Sequence, residues 1–378
     1  MDFDFSSEQY MFRESIRGFL EESYDLKKVS ALMAGEGRDP RLWSKLAELG
    51  CFSMLVPEEH GGLGLSFVDL ALVIEEFGRA LVPAPVVETI VSTDAVARFG
   101  TEAQKAQLLP SIAEGKLTMV PAIAEAEAGF SPDDIAMTAE VAGNGWSVSG
   151  RKILVPHAKT ADVLLVATRF GTDGKLGLVL CEPSRSGVSL RRHEAFDPAG
   201  RFYEVSFDRV RIVRDEILGG DPSGRSVERL LDASGAAAAM LMTGVAGKML
   251  DRSIDYAAQR IQFDKPIGSF QAIKHKCADM AVAIEASQSA AYYAAWALAE
   301  EAPELTKAVS IAKSFCGDTA RQVCNEGIQI HGGIGFTWEL GLHLYLRRAK
   351  VLEYSYGDAA YHRERVLASA LAEIQRRA

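Results

Sequence analysis

Beyond Gly224 the chain offers four long Ala-rich helical segments, at about 226–258, 270–301, 304–330 and 341–375, and these restrict the fold more than any other feature. Helices of that length must each bury an apolar face. Packed side by side they predict an antiparallel four-helix bundle, whose outer faces can bury subunit contacts as well. Pro266 and the run Gly332-Gly333-Ile334-Gly335 interrupt the segments.

The N-terminal third is also helical. Phe12, Ile16, Phe19 and Leu20 recur on one helical face between about residues 6 and 23, and Ser6 with Gln9 forms a capping-box pair. The pattern returns at 42–49 and 67–80, on either side of the loop Pro57-Glu58-Glu59-His60-Gly61-Gly62-Leu63-Gly64. From Met119 to about residue 220 the texture changes to short β-branched and aromatic runs: 141–148 with a hairpin turn at Asn144-Gly145, then 163–167, 176–180 and 202–207. The expected fold is therefore α+β: an N-terminal helical domain (1–118), a middle antiparallel β barrel or sandwich (119–223) and a C-terminal helical bundle (224–378).

Charge narrows the function classes. Lys and Arg number 41 and Asp and Glu 51, a net charge of −10, so the surface repels phosphate backbones and anionic bilayers. Nucleic-acid and membrane-surface binding are not expected. The apolar stretch Ser234–Gly247 is short against the ~20 residues that cross a bilayer. Met1-Asp2-Phe3-Asp4-Phe5 carries acid where a signal peptide needs basic charge, which points to the cytoplasm. Cys51, Cys181, Cys277, Cys316 and Cys324 are scattered without a C-x-x-C pair, and no two histidines have ligand spacing, so no metal site is expected.

Two interhelical segments carry candidate chemistry. The first is Arg260-Ile261-Gln262-Phe263-Asp264-Lys265-Pro266-Ile267-Gly268, leading through Phe270-Gln271 into the next helix. Arg260 offers a planar fork of donors for a diphosphate, Gln262 an amide, and Phe263 an apolar face. An ordinary interhelix turn with a surface salt bridge reads equally well. The second is Gln329-Ile330-His331-Gly332-Gly333-Ile334-Gly335-Phe336, whose glycines let backbone N–H groups approach a phosphate closely. A plain Gly-terminated helix end is the alternative.

In their order along an α-β-α chain these segments resemble the acyl-CoA dehydrogenase family, flavoproteins that oxidise acyl-CoA thioesters to enoyl-CoA. Leu46-Ala47-Glu48-Leu49-Gly50, the 56–64 loop and Gly150-Arg151-Lys152 belong to the same resemblance, which spans nearly the whole chain. It implies FAD, held across a dimer interface by Arg260, Gln262, Phe263, Gln329, Gly332 and Gly333, with Gln271 and His331 in the same cofactor-binding set.

The family chemistry needs a carboxylate to remove the acyl α-proton. Aligning Arg347-Arg348-Ala349-Lys350 with the family's Arg-Asp-x-Lys puts Tyr356 where the base glutamate should stand, and Ser234 falls on the alternative base position in the first bundle helix. Glu353 and Asp358 flank the first position and read as solvated helix charges, while Glu228 lies too early for the second. The segment that seats the flavin ring is altered too, to Ala124-Glu125-Ala126-Glu127-Ala128-Gly129-Phe130-Ser131, and the covering strand becomes Leu154-Val155-Pro156-His157. Pro156 has no N–H to offer a flavin. Intact donated motifs beside a missing base resemble the smaller subunit of bacterial two-subunit acyl-CoA dehydrogenases (α2β2, one FAD per heterodimer). The implied partners are acyl-CoA, a paralogous subunit that supplies the glutamate, and an electron-transfer flavoprotein. The alternatives are a self-sufficient homotetramer with a relocated base such as Glu353, and a scaffold that binds CoA or FAD without catalysis.

Overall fold

The computed structural model describes residues 4–35, 39–127 and 129–377. Met1, Asp2 and Phe3 of the acidic N-terminus and Ala128 of the altered flavin segment lie outside the described residues. The helices of the first third are α1 (Ser7–Ser23), α2 (Leu26–Ala34), α3 (Pro40–Glu48), α4 (Phe67–Arg79), α5 (Val86–Phe99) and α6 (Glu102–Ala113). Strands follow as β1 (Met119–Ala122), β2 (Thr138–Ala142), β3 (Gly145–Pro156), β4 (Val163–Phe170), β5 (Lys175–Cys181), β6 (Val188–Arg192) and β7 (Phe202–Ile212). After α7 (Gly224–Gln259) come a two-stranded ribbon, β8 (Ile261–Gln262) and β9 (Lys265–Pro266), and then α8 (Gln271–Ala299), α9 (Leu305–His331), α10 (His343–Tyr354) and α11 (Ala359–Arg377). The capping box of α1 forms as expected: Ser6 Oγ accepts from Gln9 N at 3.2 Å, and Gln9 returns the contact at 2.7 Å.

Two compact units divide the chain, one holding residues 1–35, 67–82 and 235–378, the other 36–66 and 83–234. In the second unit the strands make one seven-stranded sheet, ordered β1-β4-β2-β3-β7-β6 with β5 on β4. Four of its pairings are antiparallel, β2–β3, β3–β7, β4–β5 and β6–β7; β1 and β2 both run parallel to β4. Alternation along the strands drives one face inward, where Val120, Val148, Val155, Leu164, Val166 and Val205 share a core. The β2–β3 turn lies one residue earlier than expected: Ala142 pairs with Gly145, so Gly143 and Asn144 form the loop, and Gly143 takes φ +63°. Positive φ at the first loop position alone is the Gly-first hairpin turn, and glycine provides it without strain. Gln104 of α6 ties this helix to the segment after β7, donating to Asp215 O and Ile217 O at 2.8 Å each and accepting from Gly219 N at 3.0 Å.

The helical unit takes in α7 from residue 235 onward. The 36 residues of α7 exceed the stretch that looked too short for a membrane, and one 18-residue window has a mean hydropathy of 1.3, yet 89% of that window is buried in protein. It is a core helix. Where α4 meets it, a Cβ on Gly78 would strike the Leu241 carbonyl and one on Gly244 the Glu75 carbonyl, so paired glycines allow backbone contact. Glu75, buried beside this contact, accepts from Tyr292 Oη at 2.6 Å and Gln288 Nε2 at 2.9 Å, and burial raises its carboxyl pKa. The fourth long segment expected at 341–375 is two helices, because the chain breaks between Tyr354 and Ala359 with Tyr356 at φ +58° and Gly357 at +105°. A left-handed pair cannot continue an α-helix.

Candidate active site

The Arg260 segment is a two-residue hairpin. Ile261 pairs with Pro266 and Gln262 with Lys265, leaving Phe263 and Asp264 at the tip with φ of +54° and +62°. Positive φ at both central positions is the type I′ turn, which normally takes Asn and Gly. A phenylalanine there is strained, and it is 85% exposed. Its ring meets Phe270 edge-on at 6.1 Å, and Lys265 Nζ stands 4.4 Å from the Phe270 ring centre. Arg260, Gln262 and Gln271 are exposed on the same connection. The strand pairing is closed by Ile267 N donating to Arg260 O at 2.8 Å.

At the end of α9, Gln329, Gly332 and Gly333 are exposed, and a Cβ on either glycine would meet nothing within 4 Å. The backbone there is open, with no side chain of the described residues closing over it. His331 does not join them. Two positions from Gln329 on a helix, it points to the opposite side, where it is buried, stacked on Tyr256 at 4.3 Å, with Nδ1 2.7 Å from Gly327 O. Burial lowers its pKa, which favours the neutral ring.

Around the family base position the carboxylates are all engaged. Glu353 is buried instead of solvated: Arg321 Nε donates to its Oε1 at 3.2 Å and Lys350 Nζ to its Oε2 at 2.7 Å. Asp358 Oδ1 accepts from Tyr361 N at 2.9 Å and so caps the start of α11. Tyr356 itself is half-buried. At the second base position, Ser234 is buried and its Oγ donates to Leu230 O at 2.7 Å, the usual internal bond of a helical serine. Glu228 is exposed.

Sequence reasoning missed the groups that hold the break between α10 and α11. Lys313 of α9 is fully buried and donates to Glu353 O at 3.0 Å and Gly357 O at 2.9 Å. His362 of α11 is buried as well, with Nε2 3.0 Å from Tyr356 O and Nδ1 3.2 Å from Ser310 Oγ. Desolvation lowers the Lys313 pKa to about 7 and that of His362 to about 3. The available signal was position: Lys313 lies between Val309 and Cys316 on the buried face of α9.

In the sheet unit, the altered flavin segment is anchored by an ion pair. Lys152 Nζ, fully buried, donates to Glu125 Oε1 at 2.5 Å and to Ile123 O at 3.0 Å, and Glu125 also accepts from Ala136 N at 2.9 Å and Met137 N at 3.2 Å. Desolvation lowers the lysine pKa to about 8. Next to it β3 has a register shift between Lys152 and Val155, and Leu154 takes φ +52° with half its surface exposed. Pro156 ends the strand against Phe202. No group of His, Cys, Asp and Glu suited to a metal exists among the described residues.

Three family models cover the chain in sequence. The acyl-CoA dehydrogenase N-terminal domain matches residues 6–116, the middle domain 121–210 and the C-terminal domain 224–371. "Probable acyl-CoA dehydrogenase YngJ" of Bacillus subtilis is 31% identical over 96% of this chain and 98% of its own. Benzylmalonyl-CoA dehydrogenase of Aromatoleum aromaticum is 30% identical over 92% and 93% respectively. Among solved structures, the Tcur3481-Tcur3483 steroid ACAD superposes with a TM-score of 0.87 at 29% identity, covering 97% of this chain and 99% of that one.

Proposed function

Since the chain belongs to the acyl-CoA dehydrogenase family, we propose that it is the base-lacking subunit of a hetero-oligomeric acyl-CoA dehydrogenase whose partner subunit supplies the glutamate. The observation that carries this reading is the state of the residues around position 356. Tyr356 stands in place of the base, Glu353 is held by Arg321 and Lys350, and Asp358 caps α11. A thioester α-proton needs a base, and a tyrosine with an ordinary pKa near ~10 is almost wholly protonated at neutral pH. Ser234, bonded into its own helix, is weaker still.

The residues suited to FAD are the exposed ones. Arg260, Gln262 and Phe263 on the hairpin, with Gln329, Gly332 and Gly333 at the end of α9, would hold its diphosphate and adenosine in a cofactor shared with the partner. FAD supplies the acceptor for the acyl β-hydride. This chain's contribution is binding and orientation, and one FAD per heterodimer follows. The two-protein name of the Tcur3481-Tcur3483 relative supports a paralogous partner, and an electron-transfer flavoprotein is the expected acceptor of the electrons.

The test is reduction of an artificial electron acceptor by the highly purified lone chain, loaded with excess FAD and given short, long and cyclic acyl-CoAs. No turnover is expected until the partner is added. Robust turnover that survives Tyr356→Phe and disappears in Glu353→Gln would establish a relocated base and end the subunit reading.

A further inference from the structure

The helical unit holds a cavity of about 240 Å³ between α1, the start of α2, the end of α4 and the middle of α7, with Tyr345 of α10 also in its wall. The function proposed above uses none of its residues. Leu20, Leu26 and Ala80 make part of the wall apolar, while Glu76 and Tyr345 are buried in it. Its volume lies below the roughly 300–1,000 Å³ of pockets for drug-sized ligands, so it suits a molecule of a few carbon atoms.

Four cations and three carboxylates line this cavity: Arg17, Arg79, Lys248 and Arg252 against Glu21, Asp25 and Glu76. Three of the cations have acidic partners. Arg17 donates to both oxygens of Glu76, from Nε at 3.0 Å and from Nη2 at 2.6 Å. Arg79 pairs with Asp251, and Lys248 Nζ reaches Glu21 at 2.9 Å. Arg252, half-buried, has no carboxylate at ion-pair distance among the described residues. Its guanidinium meets the Tyr345 hydroxyl, which itself donates to Arg79 O at 3.1 Å. A guanidinium carries five donors in one plane, and a single bond steadies that plane without filling it.

This balance selects the ligand. One excess positive charge matches a monoanion, whereas Glu21, Asp25 and Glu76 oppose a dianion such as phosphate at pH 8. The planar fork fits the paired oxygens of a carboxylate, and the leucines and Ala80 fit a short hydrocarbon end. We propose that the cavity binds a small organic monocarboxylate, with its two oxygens on Arg252 and its hydrocarbon end against Leu20, Leu26 and Ala80. Nothing in this assignment requires FAD, acyl-CoA or a partner subunit.

Calorimetric titration of the full chain at pH 8, in Tris buffer low in chloride, tests it with acetate, butyrate, benzoate, butanol and phosphate. At least one of the three carboxylates should bind, one per chain, and butanol and phosphate should bind at least tenfold more weakly than it does. Arg252→Gln should weaken that carboxylate at least tenfold. Ala80→Leu fills the cavity without touching a charge and should do the same, so it decides the matter if Arg252→Gln fails to fold. Unchanged affinity in either folded variant would overturn the site, as would the absence of carboxylate binding up to about 10 mM in the wild type. Phosphate binding as tightly as the best carboxylate would overturn the assigned ligand class.

Discussion

Replacing Lys152 by Met tests the anchor of the altered flavin segment. The lysine is fully buried, and its ammonium reaches Glu125 Oε1 at 2.5 Å and Ile123 O at 3.0 Å, while Glu125 also bonds the amides of Ala136 and Met137. Met fills similar space and donates nothing, so Glu125 loses its counter-charge in a site that is only slightly exposed. Removing one member of a buried pair costs about 3–5 kcal/mol. A pH signature accompanies the loss. The folded pKa of Lys152 is lowered to about 8, below its ordinary ~10.4, so between those values the unfolded chain binds more protons. Stability attributable to Lys152 therefore rises as pH climbs from 8 to 10.4, by about 3 kcal/mol at ~1.4 kcal/mol per pH unit. Urea unfolding of wild type and variant at several pH values, followed by tryptophan fluorescence, measures both effects. The wild-type advantage should widen across that window. Glu125→Gln should also destabilise, and the double variant should recover about 1–3 kcal/mol of coupling. A loss below 1 kcal/mol together with an advantage that stays flat with pH would show that the pair anchors nothing.

Gly244→Ala should destabilise the helical unit by about 1–3 kcal/mol or more, because its Cβ would strike the Glu75 carbonyl and α4 would have to move; thermal unfolding reports it. Arg260→Ala should weaken flavin retention in the assembled complex while leaving the fold intact, read from flavin absorbance after gel filtration and from an unchanged far-UV circular dichroism spectrum, since a charge-assisted contact contributes about 1.5–3 kcal/mol. Thiol titration at pH 8 should find Cys277 reactive first. Burial pushes Cys51 and Cys316 up to about 12 and Cys181 to about 11, and raises Cys324 as well, so these four should react only in denaturant.

The sequence alone determined the order of helical, strand and helical segments, because hydrophobic period is local: Phe12, Ile16, Phe19 and Leu20 share a face in a helix, whereas a strand would turn Phe19 to the other side, and the capping pair Ser6–Gln9 marks where the helix starts. Exposed turn residues were also legible, since Arg260, Phe263 and the two glycines at 332–333 stand at helix ends marked by consecutive positions. Tertiary structure decided the rest. It split the last long segment at Tyr356, a break that no proline or local glycine run announces, because the bonds enforcing it come from Ser310 and Lys313 on α9 and from His362 on α11. It turned Glu353 from a solvated charge into a buried, doubly paired one by bringing Arg321 from the neighbouring helix. It turned His331 inward onto Tyr256, seventy-odd residues away in the chain. Local pattern reports the faces of one element, whereas a titratable group's surroundings depend on which other elements pack against it, and those contacts carry no signature in the residues beside it.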